Sequence, residues 1–429
     1  MKNLNGFDQA LNDPQSLETL YQTAKQENWA EIFELEIAKR HAAAPENVLL
    51  AAWYFRLQTQ SRTESASRAI PWRLAIPFSV ALSLIFWLIT PDLNARVTSV
   101  PNIFLLWAPA TACVIITFIA VATRATIQKP LVVVLGIILV TTYAMILGSP
   151  PHDAYRTLLV LHLPLLATLG VGLYLVGSSD DQNAFAALHK GTEVVITAGL
   201  ITGAAMVFVI ITFGLFSAIG VDFPEPIKRY LFVGVPGLIP ILALAITYDP
   251  MLAPIKQRFD QGFSRLIFTV ARIFLPLTIL VGAIYIASIP ANFFKPFEQR
   301  DVLIVYNVML FAVMALLSFA TPLFEQDVPE KWRVYLRRAI VVIAIMTIAV
   351  SLYALAATVY RTMLGGMTLN RMTVIGWNTL NIGILGFFLV RQFKASSWIA
   401  STHQVFRLGM IGYGVWGLFV TIVTPLIFP

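Results

Sequence analysis

The sequence predicts an all-α protein: a polytopic membrane bundle of about eleven helices with a small soluble helical domain at its N-terminus. Three observations carry this. Hydrophobic residue types make up 58% of the 429 residues and charged types 12%, roughly half the charged share of a soluble domain. From residue 70 onward the apolar residues gather into runs close to the roughly 20 residues that a helix needs to cross ~30 Å of hydrocarbon. Before residue 70 the chain is polar, with helix-capping signals and one-sided apolar patterns.

Residues 1–58 read as three short cytoplasmic helices. Asp13 followed by Pro14 is a capping residue and a proline at the first helical position. Leu17, Leu20, Tyr21 and Ala24 then share one face. Asn28 with Glu31 three residues later is a capping-box pattern, and it opens a helix carrying Ile32, Phe33 and Leu35. Pro45 opens a third helix with Val48, Leu49, Ala52, Trp53 and Phe55. The grouping resembles one and a half units of a tetratricopeptide-like α-solenoid, without a repeat. Residues 59–69, TQSRTESASRA, read as a polar linker. The segment before residue 70 is too polar for a signal peptide, so the first span is expected to serve as its own insertion signal.

The transmembrane domain, residues 70–429, follows. Its apolar runs lie at about 71–90, 102–123, 130–149, 155–177, 192–220, 228–248, 266–290, 302–321, 338–360, 372–390 and 408–428. Backbone groups left unpaired in lipid are costly, so these runs are helices. With the N-terminus in the cytoplasm, twenty-two of the thirty Lys and Arg residues fall on the inner side and eight on the outer. That asymmetry predicts an inner-membrane protein with N-terminus inside and C-terminus outside. The net charge of +7 belongs to this pattern and gives no reason to expect nucleic acid. The single cysteine, Cys113, excludes an intramolecular disulfide framework and a cysteine metal cluster.

Three constellations stand out as candidate sites. The first is the turn between two late spans, where Gly366 ends one helix and Thr368 (or Asn370) caps the next. Arg361 and Arg371 flank it on the outer side, against the positive-inside trend. Guanidinium forks beside a helix start suit a phosphate or lipid headgroup, whereas snorkelling anchors are the plainer reading. The second is the span at 228–248 with Gly234, Pro236, Gly237 and Pro240. Two prolines four apart remove two ladder hydrogen bonds, so a bent or broken helix is expected, as in transporter binding sites. The third is the loop SSDDQNAFAALHKGTE, whose Asp180, Asp181, His189 and Glu193 carry metal-ligand chemistry without a known metal spacing.

Other polar residues within spans are fewer. His162 beside Pro164 is expected to bond a carbonyl freed by that proline, and Asn307, Asn378 and Asn381 to join helices. Gly199 and Gly203, and the run Gly409, Gly412, Gly414 and Gly417, read as close-packing signals. Nucleophile-elbow, zinc-helix and P-loop motifs are missing from the sequence, so no catalytic residue and no cofactor are assigned.

The C-terminal third contains IFLPLTILVGAIYIA and, later, VYRTMLGGMTLNR before another span. Residues 266–395 thereby resemble a bacterial family of multi-pass membrane proteins of unknown function. Arg361, Gly366, Thr368 and Arg371 match its turn, while Met367 and Leu369 depart from its usual Leu and Pro. The resemblance implies an integral membrane protein and supplies no catalytic residue. Three functions follow as alternatives. The leading one is a non-enzymatic anchor, sensor or partner-binding component whose residues 1–58 meet a cytoplasmic protein. The others are a small-solute or lipid transporter at 228–248, and a membrane enzyme acting on lipid or polyprenyl substrates. Membrane lipids are expected partners of each.

Overall fold

The computed structural model describes residues 13–26, 29–67, 70–90, 100–148, 153–177, 180–260, 262–394 and 397–428, and among them the chain forms helices and no strand. Two compact units result, Met1–Ile70 and Pro71–Pro429.

The first unit holds α1 (Pro14–Gln26), α2 (Ala30–Ala43) and α3 (Val48–Ser67). Asp13 caps α1: its carboxylate accepts from the Gln15 and Ser16 amides at 3.2 and 3.0 Å, and from Ser16 Oγ at 2.5 Å. These donors favour the ionised form and hold the carboxyl below its usual 3.8. Asn28 lies outside the described residues. The cap residue of α2 is Trp29, whose side chain does not cap the helix and is buried instead. Asn47, after Pro45, caps α3 by accepting from the Leu49 and Leu50 amides. The helix then runs to Ser67, through most of the segment expected to be linker. That segment is polar but contains neither Gly nor Pro, and polarity alone does not end a helix.

The core of this unit is aromatic, with Tyr21 5.2 Å from Phe33 and 5.4 Å from Trp53 between ring centres. Its buried stripes are Trp29, Phe33 and Ile37 on α2, and Leu50, Trp53 and Leu57 on α3. Those spacings of three and four place Ile32, Leu35, Val48 and Phe55 away from the core, in contrast to the sequence expectation.

The second unit is a helical bundle. Its members are α4 (Trp72–Leu88), α5 (Asn102–Ala122), α6 (Gln128–Leu147), α7 (Asp153–Val176), α8 (Asp181–Ala218), α9 (Glu225–Thr247), α10 (Gly262–Ser288), α11 (Arg300–Ala320), α12 (Glu330–Gly365), α13 (Leu369–Lys394) and α14 (Trp398–Ile427). Ten are long and apolar enough to cross a membrane, and α4, at 17 residues, is shorter. At 1.5 Å per residue α4 reaches about 25 Å, while α8 and α12 reach about 55 Å. The excess in α8 and α12 is polar sequence at their N-terminal ends, Asp181–Glu193 and Glu330–Arg338.

Hydrogen bonds sort the loops onto two ends of the bundle. At the first end Gln182 donates to the Leu323 carbonyl (3.0 Å), the Ile255 amide donates to Asn183 (3.1 Å), and Arg407 pairs with Asp181 (2.9 Å). At the second end the buried Arg156 donates to the carbonyls of Val100 and Gly148 and to Asn102 Oδ1. Successive helices therefore run in alternate directions.

Prolines inside α4, α5, α7 and α10 do not interrupt them. Near its C-terminal end α14 widens into a π turn, Phe419–Val423, just before Pro425. Pro425 lacks the amide that would close on the Thr421 carbonyl. Tyr155 of α7 donates to that carbonyl at 2.5 Å, and Tyr143 of α6 donates to the neighbouring Ile422 carbonyl at 2.8 Å.

The glycine signals divide. A Cβ on Gly376 of α13 would fall 1.8 Å from the Trp416 ring of α14, and one on Gly412 would fall 3.0 Å from Leu380. Gly409, Gly414 and Gly417 also face neighbouring side chains. Gly199 and Gly203, by contrast, have nothing within 4 Å of where a Cβ would stand.

Candidate functional site

The turn between α12 and α13 forms as its residues require. Gly366 takes φ 74°, open to glycine, and Thr368 Oγ1 accepts from the Arg371 amide at 3.3 Å as the cap of α13. Leu369 packs with Leu105, Tyr155 and Leu159. The two guanidinium groups go to different acceptors. Arg371 folds back onto the Gly366 carbonyl at 2.5 Å, close over Gly365. Arg361 donates to the Glu298 carbonyl at 2.8 Å, in the single helical turn Lys295–Glu298. Among the described residues neither forms a salt bridge. Both charges are thus held by neutral oxygens.

The segment with two prolines is bulged, and the helix continues through it. Glu225–Arg229 leads into a π turn, Tyr230–Gly234, and on into Val235–Thr247. Pro236 directly follows the π turn, which closes with the Val235 amide on the Tyr230 carbonyl. Ser83 of α4 donates to the Gly234 carbonyl at 2.7 Å. Gly237 lies against α4 so closely that a Cβ would come 2.8 Å from Ser83 Cα. Gly234 and Gly237 therefore sit at a tight α4–α9 contact.

The four residues considered for a metal are separated in role. Asp180 caps α8 by accepting from the Asn183 amide at 2.7 Å, and Asp181 pairs with Arg407. His189 is buried among rings, stacked on Phe268 at 4.9 Å and tilted against Phe185 at 4.4 Å. Glu193 pairs with Lys190 at 2.6 Å, both side chains 5% exposed. Among the described residues no group of three or more His, Cys, Asp or Glu could hold a metal ion.

The Lys190–Glu193 pair is itself the centre of a closed polar cluster. Glu193 Oε2 also accepts from Ser264 Oγ of α10 at 2.5 Å, and Lys190 Nζ donates to the Arg258 carbonyl at 2.5 Å. Lys190 and Glu193 share a face by their spacing of three, which was legible. Their burial was not, because Arg258 and Ser264 lie 68 and 71 residues further on. In the loop before α12, partial desolvation raises the carboxyl of the exposed Asp327, while Phe324 donates its amide to it at 2.9 Å.

A second network lies midway along the helices. His162 binds the Leu158 carbonyl through Nδ1 at 2.8 Å and accepts from Trp377 Nε1 at 3.2 Å through Nε2. Its carbonyl partner is its own i−4 residue, rather than Val160, which Pro164 leaves without an amide. With one nitrogen donating and the other accepting, the ring is fixed as a neutral tautomer. Asn378 donates to Asn307 at 2.9 Å, and Tyr413 donates to Asn381. The asparagines join helices, as their positions suggested.

Fold and geometry together define an integral, multi-pass membrane protein. Comparison with known proteins adds no relative: no family model, no curated protein and no solved structure matches this chain.

Proposed function

We propose that the chain is a non-enzymatic, membrane-anchored partner-binding component. In this reading α1–α3 meet a cytoplasmic protein, and the bundle serves as anchor or sensor. The carrying observation is the outward side of the first unit. Leu17, Tyr21, Phe33 and Ile37 already complete its interior. Even so, Ile32, Leu35, Val48 and Phe55 are 55%, 72%, 82% and 59% exposed. Four large apolar side chains this exposed on so small a unit support the reading of a contact surface. The orientation is part of the proposal: N-terminus inside, C-terminus outside, inner membrane, supported by twenty-two inner against eight outer basic residues. Membership of the bacterial multi-pass family suggested by residues 266–395 belongs to it too.

The test places a photo-crosslinking residue at Leu35 or Val48 in cells, with the exposed Gln22 as control. A discrete protein adduct at the first two positions, lost with Ile32→Glu, supports the proposal. Adducts to lipid alone, or adducts equal at Gln22, overturn it. Reporter fusions at both termini test the orientation, and two fusions active on the same side would refute it.

A second reading concerns Arg361 and Arg371. Among the described residues their charges meet only carbonyl oxygens, which favours an anionic headgroup or phosphate at the Gly366–Thr368 turn. The double substitution Arg361→Ala/Arg371→Ala should then weaken anionic-lipid binding with the fold intact, and unchanged binding would end the idea. The remaining alternatives have less support. A solute path at Gly234–Pro240 requires the Gly237–Ser83 contact to open, and lipid-modifying chemistry at Glu193 requires a carboxylate whose charge Lys190 already neutralises.

A further inference from the structure

The geometry points to a binding site for one anionic phospholipid on the outward face of α12, where Lys331, Tyr335 and Arg338 take the headgroup and Val342 and Ile345 line an acyl chain. Which face of the helix each residue occupies carries this. At 3.6 residues per turn, residues three and four apart lie on one face. Lys331, Tyr335, Arg338, Val342 and Ile345 follow one another at those spacings, and all five are exposed. Leu336, Ile340, Ile343 and Ala344 take the opposite face and are buried in the bundle core. The exposed stripe therefore runs unbroken from charged and aromatic side chains into apolar ones that meet hydrocarbon in a membrane bundle.

The cations of this segment divide by face. Arg333 donates Nε to the Val328 carbonyl at 2.9 Å, and Arg337 donates to the Gln392 carbonyl, both on the side turned to the protein. Lys331 and Arg338 point the other way, and among the described residues neither side chain forms a salt bridge. The one carboxylate of the segment, Glu330, lies beside Arg333 by its spacing of three. In the loop before it, Glu325 accepts from Ser397 Oγ at 3.3 Å and Asp327 from the Phe324 amide at 2.9 Å. The outward stripe thus offers two cations and no carboxylate of its own.

Depth assigns the parts of the lipid. Arg338 directly precedes the apolar run of α12, and Lys331 lies about 10 Å further out along the axis, a span that matches the headgroup layer beside the hydrocarbon. Trp332 and Tyr335, exposed with ring centres 6.0 Å apart, are side chains that settle at that layer. A guanidinium fork binds phosphate oxygens bidentately, and an ammonium adds a mobile point charge. A soluble anion would gain nothing from Val342 and Ile345, so the apolar continuation of the stripe assigns the phosphate to a lipid.

The test is photolabelling of the full chain in vesicles of equal phosphatidylglycerol and phosphatidylcholine, each lipid in turn carrying a diazirine near the glycerol end of one acyl chain. Peptides covering residues 331–345 of the wild type should be labelled several-fold more by phosphatidylglycerol than by phosphatidylcholine. Lys331→Gln/Arg338→Gln should bring that preference down to parity, and Lys331→Arg/Arg338→Lys should keep it. Parity in the wild type, or a preference unchanged in the glutamine variant, overturns the site. A second measurement serves if the glutamine variant fails to fold. In ~1 M salt, where the screening length is ~3 Å, the wild-type preference should fall towards parity, and a preference indifferent to salt overturns the headgroup assignment. An equal preference around the exposed Lys129, at the start of α6 on the same end of the bundle, would show attraction to a basic face in general and would also overturn the site. Arg361→Ala/Arg371→Ala, at the other end of α12, should leave the labelling of 331–345 unchanged, so this site and the Gly366–Thr368 turn fail separately.

Discussion

Replacing Lys190 by methionine should be among the most damaging single changes in the bundle. The ammonium and the Glu193 carboxylate are 2.6 Å apart with both side chains 5% exposed. Methionine keeps the length of the stem and removes the charge, which leaves Glu193 with the Ser264 hydroxyl and no cation. Breaking one partner of a buried pair costs about 3–5 kcal/mol. The Arg258 carbonyl, which accepts from Lys190 Nζ at 2.5 Å, loses its donor as well. At 3 kcal/mol the folded-to-unfolded ratio falls roughly 150-fold. Replacing both residues, Lys190→Met with Glu193→Leu, removes the stranded charge and leaves two neutral groups unpaired, at about 1–3 kcal/mol each. The double variant should therefore be no less stable than Lys190→Met, even though two residues have changed. Equilibrium unfolding in mixed micelles, arranged as a double-mutant cycle, measures this. Single and double costs that simply add, or a Lys190→Met cost below about 1 kcal/mol, would refute the reasoning, because the pair would then be open to water.

Gly376→Ala should lower stability by about 1–3 kcal/mol, since the new methyl falls 1.8 Å from the Trp416 ring. Gly199→Ala and Gly203→Ala meet nothing within 4 Å and should leave thermal unfolding unchanged or slightly raised. Partial desolvation raises the Asp327 carboxyl, so the folded state binds its proton more tightly than the unfolded one, and stability falls as pH rises through the raised value. Asp327→Asn keeps an acceptor for the Phe324 amide and should flatten that dependence, which unfolding at a series of pH values would check. Asp13 has the opposite sign: its carboxyl is held below 3.8, so its contribution to the first unit is present above 3.8 and is lost as pH falls through the folded value. Circular dichroism of residues 13–67 should show an acid-side loss of helix that Asp13→Ala reduces.

The helices were legible because lipid imposes one solution on an apolar run of spanning length. Each of the eleven runs became a helix. The cap at Asp13 and the turn at Gly366 were legible because their chemistry is local. What was not legible depends on where distant side chains arrive. Ile32 and Leu35 looked like core because a short amphipathic segment supports more than one buried stripe, and Trp29, Phe33 and Ile37 took it. Pro236 and Pro240 suggested a broken helix, whereas Ser83, 151 residues earlier, binds the Gly234 carbonyl and the helix continues. Glu193 looked available to a metal until Lys190 and Ser264 closed around it.

The tyrosines that hold the π turn of α14 also set an order of assembly. Thr421 and Ile422 are synthesised 266 and 279 residues after Tyr155 and Tyr143, whose hydroxyls they accept. Until α14 inserts, α6 and α7 stand in the membrane with two phenols lacking these acceptors, and the cost of an unmet hydroxyl in an apolar setting favours the arrival of the later helix. A ribosome paused before Phe419 would display every earlier span with this seam still open.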